Sequence, residues 1–188
     1  MKTVIILGSV RTERQGHKAA YFIQKCLNDF GMETVLVDCK IYNLPMLDFM
    51  YKEMKDPEQK FKDLHDIFVS ADGFILVTAE YNHGIPPALK NMLDHFQSEF
   101  FFKPAGIVSY SEGYFGGARA VEPLRSVSAE LGMPAIPIAY HIPKIKTSFD
   151  DEGNPTDPAA PSRAERFIKE FDWYIRAMKA GREGGTPY

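Results

Sequence analysis

The stretch VIILGSVRTERQG, Val4 to Gly16, changes character halfway along. Val4–Leu7 is a short apolar run rich in β-branched residues, the pattern of a strand buried on both faces. Gly8, Ser9, Arg11 and Arg14 then interrupt it. From Lys18 the period becomes helical, with Ala19, Ile23, Cys26, Leu27 and Phe30 on one stripe and Gly31 as the stop. The unit is therefore strand, cationic loop, helix. Gly8 is followed neither by a second glycine at phosphate-loop spacing nor by a Lys-Ser/Thr pair. The G-x-G-x-x-G dinucleotide fingerprint is absent as well. A single phosphate suits the loop better than a chain of three. Ser9 offers a hydroxyl, Arg11 and Arg14 offer charge-assisted hydrogen bonds, Gln15 an amide, and Gly16 close backbone approach at a helix start. A charged surface turn is the competing reading of the same residues.

Outward from this unit the alternation repeats. Strands are expected at Thr34–Val37, Gly73–Ala79, Pro104–Tyr110 and Met133–Ala139. Helices are expected around Phe61–Phe68, from Pro86 through Phe96, over Ala118–Leu131 with Pro123 marking a start near Glu122 or a kink, and over a last segment capped by Ser162. Pro134 and Pro137 put the fifth strand at an edge. Asp38–Pro57 reads as a long loop holding one helical turn. Lys144–Pro158 has no period and reads as a subunit-contact loop or as disorder, and a flexible tail starts at about residue 181. Five continuous apolar strands alternating with helices give one α/β domain over residues 1–188, a three-layer sandwich on a five-stranded parallel sheet. The short chain favours the flavodoxin-like strand order.

Composition narrows the function. A formal net charge of -3 on 188 residues offers no general attraction for nucleic acid. No apolar run is long enough to span a membrane, and Val4–Leu7 is too short for a signal h-region. A cytoplasmic protein with two free thiols, Cys26 and Cys39, is expected, and no metal-binding spacing occurs.

Two more loops fall at carboxyl ends of strands, where ligands of such sheets bind. In Glu80–Gly84, Tyr81 gives an aromatic platform, and the amides of Asn82, His83 and Gly84 could meet the edge of a flat heteroaromatic. A helix-capping loop is the plainer reading, and no carboxylate partner for His83 is evident. In Ser109–Ala120, Gly113, Gly116 and Gly117 expose backbone donors or simply make a turn. Neither Ser109 nor Ser111 sits in a G-x-S-x-G elbow.

Taken together, VIILGSVRTERQG, EYNHGIPPALKNMLD and GYFGGARA resemble the NADPH-dependent FMN reductase family, which includes azobenzene, quinone and chromate reductases. The likeness covers about Met1 to Ala139. It implies a flavodoxin-like fold, non-covalent FMN, and homodimers or homotetramers with flavin sites near subunit boundaries. It implies that Ser9, Arg11, Gln15, Gly16 and His17 surround the FMN phosphate, with Arg14 facing the phosphate or a partner subunit. Glu80, Tyr81, Asn82, His83 and Gly84 would surround the isoalloxazine, and Ser109, Tyr110, Gly113, Gly116 and Gly117 would close its other side. Ala79 stands where the family often has proline. The implied activity carries electrons from NADPH or NADH through FMN to a small acceptor such as a quinone, azo compound, chromate or flavin, with no catalytic side chain required. An FMN-holding electron carrier or redox sensor is the alternative. The acceptor and the choice of nicotinamide stay open, since a 2'-phosphate needs a nearby cation and Arg11, Arg14, Arg119 and Lys144 are all candidates or none. For the oligomer, at least one of Phe100, Phe101 and Phe102 is expected to reach beyond the monomer core.

Overall fold

The computed structural model describes residues 1–188. Five parallel strands, β1 (Lys2–Leu7), β2 (Glu33–Asp38), β3 (Gly73–Ala79), β4 (Ala105–Tyr110) and β5 (Ala135–Ile142), lie in the order β2-β1-β3-β4-β5. That is the flavodoxin-like order, and the chain reverses its direction of propagation between β1 and β3. The loops after β1 and β3 therefore run to opposite faces and leave a crevice at the rim between them.

The strands are apolar throughout because both faces are covered. Ile5, Leu7, Ile75, Val77 and Val108 pack on one side with Phe22 and Ile23 of α1 (Gly16–Asp29) and with Phe167 and Phe171 of α7 (Ala160–Glu183). Val4, Ile6, Phe74, Leu76 and Ile107 pack on the other with α3 (Gln59–Ser70), α4 (Pro87–Asp94) and α5 (Val121–Glu130). Alternate residues of each strand thus enter different cores. A short α2 (Cys39–Tyr42) follows β2, starting in the Asp38–Pro57 connection as expected.

Several boundaries depart from the sequence pattern. β5 runs three residues past Ala139, to Ile142, and starts after Pro134. It is the edge strand, and Arg125 covers part of it by donating to the carbonyls of Ile136 and Pro137. A 3-10 turn occupies Ala118–Ala120, and α5 starts at Val121, so Pro123 falls in its first turn where its missing N–H costs nothing. Ser162 does not cap α7. The helix starts two residues earlier, Asp157 receives the Ala159 amide, and the Ser162 hydroxyl donates back to the Ala159 carbonyl. α7 continues to Glu183, past the expected start of the tail, and the Tyr188 ring lies 5.5 Å from that of Phe101 and 5.0 Å from that of Phe102.

Lys144–Pro158 is ordered. It forms α6 (Ile145–Ser148) and an antiparallel bridge between Phe149 and Pro155. Ile145 and Phe149, four apart, are buried, and the Phe149 ring packs 4.9 Å from Phe22 of α1. Phe100 is wholly buried, and Phe101 and Phe102 are half-buried. The two that are not wholly buried pack against Tyr188, and neither stands fully exposed.

Candidate functional site

The carboxyl rim holds a cleft of about 340 Å³. Arg11, Arg14, Gln15, Glu80, Tyr81 and Tyr110 line it, all of them expected from the sequence. Glu13, Ala79, Ser111, Glu112, Ile145 and Lys146 also line it and were not among the expected site residues. The last two come from α6, whose only sequence signal was the Ile145–Phe149 spacing.

One end of the cleft is built for an anion. α1 begins at Gly16 with no side-chain cap on its N-terminus. The amides of Gly16 and His17 find no acceptor in the chain. An uncapped first turn presents donors and the positive end of the helix dipole. The Ser9 hydroxyl and the Tyr110 phenol are buried beside it and close to each other, and neither makes a well-formed hydrogen bond with the rest of the chain. Burial pushes the Tyr110 phenol up, so it stays protonated and able to donate. A Cβ on Gly16 would come within 2.2 Å of the Tyr110 oxygen and 2.6 Å of the Ser9 oxygen. Glycine is the residue that leaves this cradle open. Buried hydroxyls are normally satisfied, so two orphans beside two free amides point to an acceptor-rich guest.

The two arginines separate. Arg11 is exposed and has no side-chain partner in the chain, whereas Arg14 forks onto Asp38 and donates 2.5 Å to the Ser9 carbonyl. His17 is half-buried and packs edge-on against Tyr21. Its pKa is lowered from 6.5, first by burial and then by Lys18, so it is neutral at neutral pH.

The other end is shaped by the loop after β3. Asn82 and His83 both have positive φ, 50° and 65°, and Tyr81 and Gly84 exchange two backbone hydrogen bonds of 2.9 Å. This is a two-residue turn of the primed type. It spends the Gly84 amide on Tyr81, which corrects the expectation that this amide is free. The amides of Asn82 and His83 make no bond in the chain. Both side chains are exposed, and holding non-glycine residues at positive φ costs energy, as is common at functional loops. Glu80 turns instead to Arg119, accepting its amide at 3.2 Å and forming an ion pair with its guanidinium at 3.6 Å, so it ties this loop to the glycine loop.

Within that loop Gly116 and Gly117 have positive φ, and a Cβ on Gly117 would strike the Tyr110 backbone at 2.7 Å. Their freedom serves packing against β4 and β5. Gly113 is exposed, with nothing nearer than 3.8 Å to an added Cβ. Ser109 is fully buried. It donates to the Gly116 carbonyl at 2.8 Å and meets His141 Nδ1 at 2.7 Å. With its one proton spent on Gly116, Ser109 accepts from His141, so it braces the loop from behind. His141 was missed because it lies in the part of β5 that the sequence pattern left out. Cys26 and Cys39 are free, and burial pushes their thiols up to about 11 and about 12. They are poor nucleophiles.

The geometry thus offers an anion cradle and, across one cleft, a turn with free amides beside the half-buried Tyr81 ring. A flat heteroaromatic carrying one phosphate meets both, and FMN fits that description. Along the whole length the chain is similar to the quinone reductase of Pseudomonas putida, 28% identical over 185 residues, 94% of this chain and 95% of that one. It is similar to the NADPH azoreductase of Bacillus sp. (strain OY1-2), 31% identical over 180 residues and 95% of both chains. Among solved structures it shares the fold of FerB, a flavoenzyme NAD(P)H:(acceptor) oxidoreductase from Paracoccus denitrificans, with a TM-score of 0.73, 23% identity, and 95% and 97% of the two chains covered. The family described as NADPH-dependent FMN reductase matches residues 1–147, and the chain belongs to that family of flavin-dependent oxidoreductases.

Proposed function

We propose that this protein binds FMN in the rim cleft and reduces a small electron acceptor at the expense of NADPH or NADH. The observation that carries the reading is the pair of orphaned hydroxyls, Ser9 and Tyr110, beside the uncapped start of α1. Arg11 and the Gly16 and His17 amides hold the phosphate, and the Asn82 and His83 amides meet the polar edge of the ring. Tyr81, Ala79 and Tyr110 supply cleft walls, and the glycine loop, braced by Ser109, stands on the other side. When bound, FMN supplies the redox chemistry, accepting a hydride from the nicotinamide and delivering electrons to the acceptor. The chain itself positions the reactants and needs no nucleophile. Quinones and azo compounds are the acceptor classes named for the relatives.

The same proposal includes a homo-oligomer in the cytoplasm. Ile41, Met46, Leu47 and Phe49 are exposed on the segment after β2, and Asn91 of α4 pins that segment through Leu47 N and the Pro45 carbonyl. Exposed apolar residues this dense suit contact with a second copy. No helix is long and apolar enough to cross a membrane.

The test is the visible spectrum of purified protein loaded with FMN, without oxygen. NADPH or NADH should bleach the flavin band, and a quinone should restore it. A protein that fails to take up FMN, or that holds FMN no nicotinamide bleaches, overturns the reading.

A further inference from the structure

The loop from Val10 to Gln15 has few ties to the rest of the molecule. Its Gln15 amide reaches only the nearby Glu13 carbonyl, and Arg11, Thr12 and Glu13 have no side-chain hydrogen bond. Arg14 alone leaves the loop. Its guanidinium forks onto both oxygens of Asp38 at the carboxyl end of β2 and donates to the Ser9 carbonyl. The side chains are 13% and 9% exposed, so water competes weakly for the pair. A planar fork on a carboxylate fixes direction as well as distance. Asp38 is also anchored on its other side, since it accepts the Lys40 amide at 2.9 Å and caps α2.

Resting on the reading of the cleft as an FMN site, we propose that Asp38 is a positioning residue for the phosphate loop. Through Arg14 it holds the Ser9 backbone, and so keeps the orphaned Ser9 hydroxyl aimed into the cradle before FMN arrives. Arg14 is then a strut, and Arg11 is the loop's cation for the phosphate. A loop fixed in advance spares the ordering cost on binding.

Charge alone argues the other way, which makes the test sharp. Removing a carboxylate beside an anion site tightens anion binding if the group acts only through its field. Asp38→Asn keeps the size and the α2 cap, because asparagine caps as well as aspartate, but it loses the fork. Flavin fluorescence quenching on the apo protein gives the affinity, with FMN and riboflavin as the two probes. Asp38→Asn should lower the apo thermal midpoint, because it leaves Arg14 buried and unpaired, and the folded variant should bind FMN about tenfold or more weakly and riboflavin with far less loss. Arg14→Lys keeps the charge, loses the fork and should do the same. The double variant should be no weaker than the worse single one.

Unchanged or tighter FMN binding by Asp38→Asn overturns the proposal, and so does an equal loss for riboflavin. If Asp38→Asn does not fold, Arg14→Lys decides on the same criteria. If neither folds, the pair belongs to the fold and the proposal falls. Wild-type protein that binds no FMN would defeat the functional reading itself, a result distinct from variants that match a binding wild type.

Discussion

Arg11 and Arg14 are three residues apart and carry the same charge, yet their surroundings give them different work. Arg11 is exposed and uncommitted, and Arg14 is neutralised by Asp38. Arg11→Ala should therefore weaken FMN by about 2–3 kcal/mol, the worth of a charge-assisted hydrogen bond, and leave riboflavin almost unchanged. Titration of the apo variant with both flavins checks this, and equal losses would assign the arginine to the fold. Two histidines carry a pH signature. His17 is lowered from 6.5 by burial and then Lys18, and His141, an exposed residue whose Nδ1 edge is covered by Ser109, by partial burial of that edge and then Arg125. The unfolded chain takes up these protons near pH 6.5, while the folded chain resists until lower pH. Between those values the unfolded state holds more protons, so stability falls as pH drops through and below about 6.5. Urea unfolding of the apo protein should show that slope, and His17→Gln and His141→Gln should each flatten it. A slope that both variants retain would place its origin elsewhere. The two residues differ in legibility. His17 stood in a motif, but His141 acts only because β4 and β5 bring it to Ser109 from 32 positions away.

At the scale of elements, the start of α1 is where local sequence and tertiary packing meet. The glycine at its first position is demanded by a tyrosine at the end of β4. Gly16→Ala places a methyl 2.2 Å from the Tyr110 oxygen and should destabilise by about 1–3 kcal/mol, as overpacking does. FMN binding should fall with it, because the methyl occupies the cradle. Tyr110→Phe removes the nearest atom, so the double variant should regain part of the stability but not the lost hydroxyl donor. Thermal melts of the apo proteins and FMN titration separate the two effects, and a Gly16→Ala protein that binds FMN normally would remove the cradle from the site. The strands were legible because burial on both faces writes them as plain apolar runs. Helix and strand ends were less so. β5 continues beyond Ala139 through Tyr140 and Ile142, which are buried against α1 and α7, and nothing local to the sequence marks that support. α6 was read as aperiodic because a four-residue helix shows no period; its order comes from Ile145 and Phe149 entering a core formed mainly by distant residues.

For the molecule as a whole, the arrangement of apolar surface points to a different contact from the one the aromatic run suggested. Phe101 and Phe102 are half-buried and meet Tyr188, while Met46 and Phe49 stand exposed beside α4. Sedimentation equilibrium of the FMN-loaded protein should find a mass at least twice 21.3 kDa. Phe49→Asp or Met46→Glu should shift it toward the monomer, and Phe101→Asp should act chiefly on stability. A wild-type monomer at rising concentration would defeat the oligomer, and a dimer indifferent to both rim substitutions would move its interface.

By itself the sequence determined the alternation of buried strands and helices, the three rim loops, and the preference for one phosphate over a dinucleotide. These are written in local periodicity and in short spacings, which the physics of backbone and burial reads directly. Only the tertiary structure decided which hydrogen-bonding groups in those loops are free. Arg14 went to Asp38, Glu80 to Arg119, Ser109 to His141 and the Gly84 amide to Tyr81, leaving Arg11, the Ser9 and Tyr110 hydroxyls and four amides for a ligand. The reason is that a hydrogen-bonding group is committed by whatever the fold brings within about 3 Å of it, and most of those partners lie on other elements of the chain.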